Sequence, residues 1–325
     1  MQKPAILTTA KPKMPTLALL LFLFTATALG QNFADKDYYL VDSLNLATLA
    51  QSDRLLVDSC LELYHTATQD TDKVNSLNGI CENMMDQSWH KYQHYQLRII
   101  EQALSANPPT PVLLSLRISM AGALNNIGFI HQVQGDIPVA LKYYHNSLKI
   151  REEISDSPDE AIAKSGKRGM AESYINIGFI HYNQGAIPLA LDYYHKSLKI
   201  REELGNKQEM AYSYNNIGVI HDNQGDIPLA LEHYHKSLNI REEISDKKGI
   251  ATSLANIGTL HLKSGGLTRA REMGKRGLEI ARELGFPDNI EHNAGLLSKV
   301  AKHEGNPDYA PCASSGEVQR SLRDV

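Results

Sequence analysis

Cysteine is scarce in this sequence, and positive charge is not in excess. The 325 residues include three cysteines, too few and too scattered for a disulfide-built mini-protein or a thiolate zinc site. The 33 Lys and Arg residues are outnumbered by 37 Asp and Glu residues. Binding to nucleic acid needs a clustered positive surface, so this charge balance gives no reason to propose a nucleic-acid partner.

The apolar run near the N-terminus is too short to cross a bilayer. Leu17–Leu29 has 13 positions, whereas a membrane-spanning helix needs about 20 residues. Three lysines precede the run and small residues follow it, which predicts a cleaved secretory signal over residues 1–30. We therefore expect an exported protein, periplasmic or secreted, with no stable membrane span after cleavage.

Export would place the cysteines in an oxidising compartment. Cys60 and Cys81 would then be able to form a disulfide, which would leave Cys312 unpaired. Three unpaired thiols are the alternative, and the sequence does not decide between the two.

Catalytic signatures are also missing. The sequence contains no G-x-x-x-x-G-K-[ST] phosphate loop, no G-x-S-x-G elbow and no H-E-x-x-H zinc helix. His90 and His94 have the i, i+4 spacing of a metal-binding pair, but no third ligand is evident. We expect no enzyme activity, no cofactor and no metal.

The middle of the chain repeats itself. Met120, Met170 and Met210 each begin a nearly identical text of 34 residues, and Ile250 begins a weaker fourth copy. Successive copies start 50, 40 and 40 residues apart, and the ten extra residues of the first interval fall around positions 157–166. Self-similarity at such a period indicates stacked supersecondary units.

Each copy has the pattern of two helices joined by a tight turn. In the third copy, Tyr214, Ile217 and His221 recur at three and four residues, as on one face of a helix. Gly225 ends that helix, and Pro228 suits the first turn of the next one. Gly218, Ala230 and Tyr234 are predicted to meet where the two helices approach each other, with the Tyr234 ring filling the gap. Asp226 is a candidate N-cap of the second helix.

These residues resemble the tetratricopeptide repeat in a long, 40-residue variety. The shared pattern is Ile-Gly-x-x-His, then Gly, then Ala-x-x-x-Tyr, and the fourth copy departs from it by having Gly274 in place of tyrosine. A mid-helix glycine is less favourable than alanine by about 1 kcal/mol, so we expect a looser second helix there. The resemblance implies an all-α fold: a right-handed superhelical solenoid of helix-turn-helix repeats, with the first helices lining a concave groove.

The predicted organisation has four parts. Residues 1–30 are the signal peptide, and residues 31–110 form a helical N-terminal cap with a divergent repeat-like pair. Residues 111–305 form the array, with four clear repeats and a partial fifth, and residues 306–325 form a disordered tail.

Three repeated polar features are not predicted to take part in catalysis or metal binding. His131, His181, His221 and His261 occupy one repeat position, where core packing is expected. His145, His195 and His235 form a second column on the outer helices and are interpreted as surface or groove residues. The Arg-Glu-Glu triplets that begin at Arg151, Arg201 and Arg241 are interpreted as a solvated face with weak ion pairs.

An asparagine column is the candidate binding site. An Asn side chain offers two donors and one acceptor oxygen, so a row of them can bind the main chain of an extended peptide whatever its side chains. The alternative is that these amides only bond between adjacent helices and hold the stack together. The predicted peptide-binding residues are Asn126, Asn176, Asn216 and Asn256, with Asn125, Asn215, Phe129, Phe179, Tyr182, Asn183, Asp222 and Asn223 beside them.

Two functions are compatible with this reasoning. The first is an interaction scaffold that holds a protein or peptide segment in its groove. The second rests on a resemblance to the exported sensor regions of bacterial tetratricopeptide histidine kinases and cyclases, and makes this chain a truncated input region of a membrane signalling protein.

Overall fold

In the computed structural model, every regular element of the described residues is a helix. The structure describes residues 36–41, 44, 46 and 49–305. The helices in these residues are α1 (Lys36–Tyr39), α2 (Gln51–Thr66), α3 (Asp70–Asn83), α4 (Trp89–Ser105), α5 (Thr110–Gln134), α6 (Ile137–Ser155), α7 (Glu160–Asn183), α8 (Ile187–Glu203), α9 (Lys207–Asn223), α10 (Ile227–Glu243), α11 (Lys247–Lys263), α12 (Leu267–Leu284) and α13 (Pro287–His303). The predicted all-α class is confirmed.

The helices pack with their neighbours in the sequence, as in a helical solenoid. Contacts join the two helices of one repeat: α9 with α10, α11 with α12, and α5 with α6. The second helix of one repeat also contacts the first helix of the next, as α10 contacts α11. The chain divides into two compact units, residues 1–169 and residues 170–325, called here the N-terminal and the C-terminal unit. The division falls inside α7. The four-part organisation predicted from the sequence stays a prediction, and residues 1–30 and 306–325 lie outside the described residues.

The turn within each repeat has the predicted chemistry. In the third repeat, Gly225 has φ of 78°, a left-handed conformation that glycine adopts without a steric cost. Asp226 is the N-cap of α10, and its carboxylate accepts a hydrogen bond of 3.2 Å from the Leu229 N–H. Pro228 lies in the first turn of α10, where an N–H has no helical partner to lose.

The glycine of each first helix allows the paired helices to approach closely, as predicted. A Cβ added at Gly218 would lie 2.7 Å from Cδ1 of Tyr234, a residue that is 2% exposed. Gly128 has the same relation to the Tyr144 ring, at 2.9 Å. No side chain fits between these backbones, since interiors are packed to crystal-like density.

Replacing Gly218 by leucine is therefore expected to destabilise the third repeat by about 1–3 kcal/mol, because the side chain overpacks the contact with Tyr234. Urea unfolding followed by circular dichroism measures the loss. Gly122→Leu is the matched control, since a Cβ at Gly122 meets nothing within 4 Å. Equal losses in both variants would contradict the close-approach explanation.

A column of buried serines ties each second helix to its own first helix. Ser147, Ser197 and Ser237 are each 0% exposed. Their hydroxyls donate to the backbone carbonyls 26 residues earlier, at 2.7, 2.9 and 2.8 Å, namely those of Ala121, Ala171 and Ala211. The repeated bond satisfies a hydroxyl that would be costly to bury alone.

The prediction that the Arg-Glu-Glu arginines lie on a solvated face is wrong. Arg151, Arg201 and Arg241 are 7%, 5% and 2% exposed. Arg201 Nη1 donates to the Glu209 carbonyl at 3.0 Å and to Ser213 Oγ at 2.7 Å. Arg241 makes the corresponding bonds to Gly249 O at 2.6 Å and Ser253 Oγ at 3.0 Å. Each arginine thus joins the second helix of its repeat to the first helix of the next.

Arg201 has an additional partner. Its Nη2 lies 2.8 Å from Oε2 of Glu209, and both side chains are nearly buried, at 6% and 11% exposure. Burial lowers the pKa of Arg201, and the neighbouring Glu209 carboxylate opposes that shift. This ion pair is desolvated, unlike the exposed pairs of the triplet glutamates, among them Glu243 with Lys207.

The expectation that Gly274 leaves the fourth repeat loose is also wrong. A Cβ at Gly274 would lie 3.0 Å from Leu297 Cδ2 and 3.2 Å from Leu296 Cδ2, both on α13. Both leucines are 3% exposed. The volume that tyrosine fills in the other repeats is therefore filled here from the following helix.

The fourth repeat also has smaller residues at the positions where the other repeats have the buried serine and arginine. Gly277 stands in the serine position, and Asn293 of α13 donates to the Ala251 carbonyl at 3.2 Å instead. The arginine position holds Ala281, which is 0% exposed. Three reductions in side-chain size on α12 thus make room for α13.

Helix α13 ends the described array with a polar outer face. Its aliphatic side chains are all buried: Ile290, Ala294, Leu296, Leu297, Val300 and Ala301. Its exposed positions include Glu291, Ser298, Lys299 and Lys302. A terminal helix with one apolar and one polar face closes a solenoid without leaving apolar surface in water.

In the N-terminal unit, the divergent pair predicted upstream of the array forms α3 and α4. Gln93 and Gln96 of α4 are 1% and 0% exposed. Gln96 Nε2 donates to Asn78 Oδ1 at 2.5 Å and to the Val74 carbonyl at 3.1 Å, both on α3. Gln93 Nε2 donates to Gln96 Oε1 at 2.6 Å. A connected amide network is tolerated in a core because its members satisfy each other.

The thiols of Cys60 and Cys81 are unpaired in the structure, and Cys312 lies outside the described residues. Burial raises the pKa of the Cys81 thiol, which keeps it protonated. This is the unpaired alternative that the sequence left open.

One described helix, α5, is long and apolar enough to cross a membrane by length and composition alone. In the structure, α5 packs against α4 and α6, and its Leu116 and Ile127 are 0% exposed. Apolar side chains of α5 therefore contribute to the core of the N-terminal unit.

Candidate functional site

One face of each first helix in the C-terminal unit carries half-buried and exposed side chains in a regular stripe. On α9 the stripe consists of Tyr212, Asn215, Asn216, Val219, Asp222 and Asn223. Their spacing of three and four residues places them on one side of the helix. Of the positions between them, Ser213, Ile217, Gly218 and Ile220 are buried. We call this surface the first-helix face; it continues at the corresponding positions of α7 from residue 170 onward and of α11.

Polar contacts run across this face from one repeat to the next. Asn256 Nδ2 of α11 donates to Asn215 Oδ1 of α9 at 3.0 Å. Asn223 Nδ2 donates to the Tyr182 hydroxyl. Each bond links residues 41 positions apart, so each first helix contacts the preceding one with a shift of one residue in the repeat.

Asp222 is paired in the same way. Lys263 Nζ lies 2.5 Å from Asp222 Oδ1, again 41 residues apart. The aspartate side chain is 16% exposed and that of the lysine 49%. The pair neutralises the acidic charge on this part of the first-helix face.

The asparagine column therefore makes bonds between repeats in at least two copies. Besides Asn256, Asn126 of the N-terminal unit donates from Nδ2 to Gln93 Oε1 at 2.8 Å. One such bond uses one of two N–H groups of the amide and leaves its oxygen available to accept. The bond fixes the orientation of the side chain without exhausting its hydrogen-bonding capacity.

The remaining predicted residues lie at graded depths. Asn125, Asn176 and Asn216 are half-buried, and Asn183 and Asn223 are exposed. The predicted aromatic neighbours, Phe129, Phe179 and Tyr182, are half-buried. Phe129 packs against the hydrophobic core of the N-terminal unit, which makes it partly a packing residue. Whether any of these residues binds a peptide stays a prediction.

The histidines of the first column are half-buried instead of core residues, and two of them stack on rings of the paired second helices. His131 and His181 stack on Tyr143 and Tyr193 of the paired second helices, with ring centroids 5.5 and 5.6 Å apart. In the second column, His145, His195 and His235 are exposed, as expected for the outer helices. Within the part of the chain that the structure describes, no three His, Cys, Asp or Glu side chains are grouped to hold a metal.

Sequence models of a known repeat family match the array. One tetratricopeptide repeat model matches residues 169–243 and again residues 209–283, and a second matches residues 120–159. These segments are similar to tetratricopeptide repeats. No curated protein matches the chain in sequence.

Solved structures share this fold. BtubC from P. vanneervenii is similar with a TM-score of 0.57 at 19% identity, over 72% of this chain and 93% of that chain. Aspartyl phosphate phosphatase F from Bacillus subtilis is similar with a TM-score of 0.53 at 14% identity, over 80% of this chain and 75% of that chain. At these identities the likeness concerns the fold alone.

Sequence reasoning missed two sets of hydrogen bonds: those of the buried serines within each repeat and those of the buried arginines between successive repeats. Their signal was present, because serine and arginine recur at fixed positions in three copies: Ser147, Ser197 and Ser237, with Arg151, Arg201 and Arg241. A charged residue kept at one repeat position is compatible with either a solvated face or a buried bond. Only the burial and the carbonyl partners decide between the two.

Proposed function

We propose that the protein is a non-enzymatic interaction scaffold that binds an extended peptide segment of a partner protein along the first-helix face of the C-terminal unit. The tetratricopeptide repeats support an interaction scaffold. The observation that carries the finer proposal is the recurrence of half-buried asparagines on successive first helices, at Asn216 and Asn256, with the Asn256 amide held by a hydrogen bond to Asn215.

Main-chain recognition follows from the chemistry of these amides. An extended peptide presents alternating N–H and C=O groups, and each asparagine supplies the complementary acceptor and donor. Because the Asn256 amide is already held by Asn215, little side-chain freedom is lost when a peptide binds. The inter-repeat bond and the binding role are thus compatible.

The first-helix face also suggests the character of the peptide side chains. Phe179, Val219 and Tyr212 supply apolar surface, and the charge of Asp222 is matched by Lys263. A peptide with apolar side chains and little net charge fits this face better than a strongly charged one.

Selection from a displayed library of random peptides against the purified protein tests the proposal. A selected peptide is then measured by isothermal titration calorimetry against the wild type and the double variant Asn176→Ala/Asn216→Ala. Two lost hydrogen bonds of about 0.5–1.5 kcal/mol each should weaken its affinity by about 5- to 150-fold. The free energy of unfolding should change by about 1 kcal/mol or less.

Asn239→Ala is the matched control, because Asn239 is an exposed asparagine on the second helix α10. It should leave the affinity unchanged. Equal affinities for the wild type and the double variant, or a large loss of stability in the double variant, would assign these amides to packing alone.

The location of the protein remains a proposal from the sequence. The predicted signal segment, residues 1–30, lies outside the described residues. We propose export, on the strength of the three lysines, the apolar run and the small residues that follow it.

A further inference from the structure

The third repeat differs from the first two in the ring that covers its first-helix histidine. In the first two repeats that ring is a tyrosine. In the third repeat, His221 of α9 stacks on His233 of α10, with centroids 5.4 Å apart and planes 9° apart. Two imidazoles therefore lie face to face between a first helix and its own second helix.

The surroundings of His233 contain titratable and charged groups from three helices. From α8, the His195 ring lies 6.5 Å away, and from α9, the Tyr214 ring stacks at 6.0 Å. On α10 itself, Lys236 and Glu232 flank the histidine and bond to each other at 2.7 Å. Glu232 is thus the acidic neighbour, and its charge is matched by Lys236.

One nitrogen of His233 is also shut away from water. Its Nδ1 is buried and has no hydrogen-bond partner among the described residues. A proton added there would bring a charge into a site without an acceptor, which is costly. A second charge on His221, at the stacking distance, would add like-charge repulsion.

We propose that the stacked pair His221 and His233 is an acid-sensitive joint between α9 and α10, which packs the two helices while the His233 ring is neutral and opens more readily in acid, where the unpacked His233 ring takes up a proton. The proposal concerns the regulation of the array by pH and is independent of what the first-helix face binds.

The direction of the pH dependence follows from the titration of His233. Burial lowers its pKa from 6.5 to about 4, with further lowering by His221 and Lys236 and partial opposition from Glu232. The unfolded chain has a histidine pKa of about 6.5, so between these values it binds more protons than the folded protein. Stability contributed by the neutral ring is therefore complete above about pH 6.5 and is lost as the pH falls toward about 4.

The variant His233→Tyr tests the proposal, because tyrosine occupies the equivalent positions 143 and 193 in the first two repeats. Thermal unfolding midpoints of the wild type and the variant are compared between pH 7.5 and pH 4.5. The acid-induced decrease in Tm should be smaller in the variant by about 2–4 °C. The reciprocal variant Tyr193→His places a second stacked pair in the second repeat and should enlarge the decrease.

His235→Tyr is the control, since His235 lies exposed on the same helix and should change nothing. Hydrogen exchange by mass spectrometry, corrected for the intrinsic pH dependence, locates the effect: peptides from α9 and α10 should lose protection on acidification only when His233 is present. Parallel Tm curves for the wild type and His233→Tyr, or a loss of protection spread evenly over the C-terminal unit, would overturn the proposal.

Discussion

Replacement of Arg201 by methionine is expected to lower the free energy of unfolding by about 3–5 kcal/mol. Methionine keeps much of the side-chain length but leaves the Glu209 carboxylate, 11% exposed, without its cationic partner. Removal of one member of a buried ion pair costs this much because the other charge stays desolvated. The Glu209 carbonyl and the Ser213 hydroxyl lose their donor as well. Urea denaturation of the full chain measures the loss.

The double variant Arg201→Met/Glu209→Met identifies the cause. It removes the stranded carboxylate along with the arginine, so it should recover a large part of the lost stability. Lys199→Met, two residues away and exposed on α8, should stay close to the wild type. A single Arg201 variant as stable as the Lys199 variant would show that the arginine is not a clamp between repeats.

The residues within one repeat could be predicted from the sequence because they depend on short-range geometry. Gly218 and Tyr234 recur together in a pattern that resembles a known repeat, and a small residue opposite a large one predicts a close helix pair. The turn at Gly225 and Pro228 follows from backbone preferences alone. These features are confirmed without knowledge of how one repeat sits on the next.

The partners of the contacts between repeats could not be predicted in this way, although bonds between adjacent helices were the alternative for the asparagine column. The bond from Asn256 to Asn215 depends on a one-residue shift between neighbouring first helices, which no single repeat encodes. Arginine is rarely fully buried, so a general expectation of exposure misled the interpretation of Arg201. Its burial depends on a carbonyl and a hydroxyl supplied by the next repeat.

The candidate site combines both kinds of residue. The repeat period predicted that Asn216 and Asn256 lie at equivalent positions of two first helices, and the structure has them on α9 and α11. Their hydrogen bonds, and the pairing of Asp222 with Lys263, became visible only with the neighbouring repeat in place. The asparagine column is therefore both an inter-repeat contact and a candidate binding surface.

Restoring the repeat tyrosine at Gly274 should destabilise the protein instead of improving it. The position lies 3.0 Å from Leu297 and 3.2 Å from Leu296, measured from an added Cβ, so a phenol ring there occupies the volume of both leucines. The ring should displace α13, which exposes aliphatic side chains that are now buried. Overpacking alone costs about 1–3 kcal/mol, and each leucine returned to water adds about 1.5–3 kcal/mol.

Hydrogen exchange distinguishes this displacement from a general loss of stability. In Gly274→Tyr, amides of α13 should lose protection first, while those of α9 and α10 keep theirs. Adding Leu296→Ala and Leu297→Ala creates room for the ring and should recover part of the packing between α12 and α13. Tyrosine introduced at Gly295, where an added Cβ meets nothing within 4 Å, should leave α13 in place. If Gly274→Tyr were instead more stable than the wild type, α13 would not be the element that replaces the missing ring, and the fourth repeat would have the looser second helix that its sequence predicts.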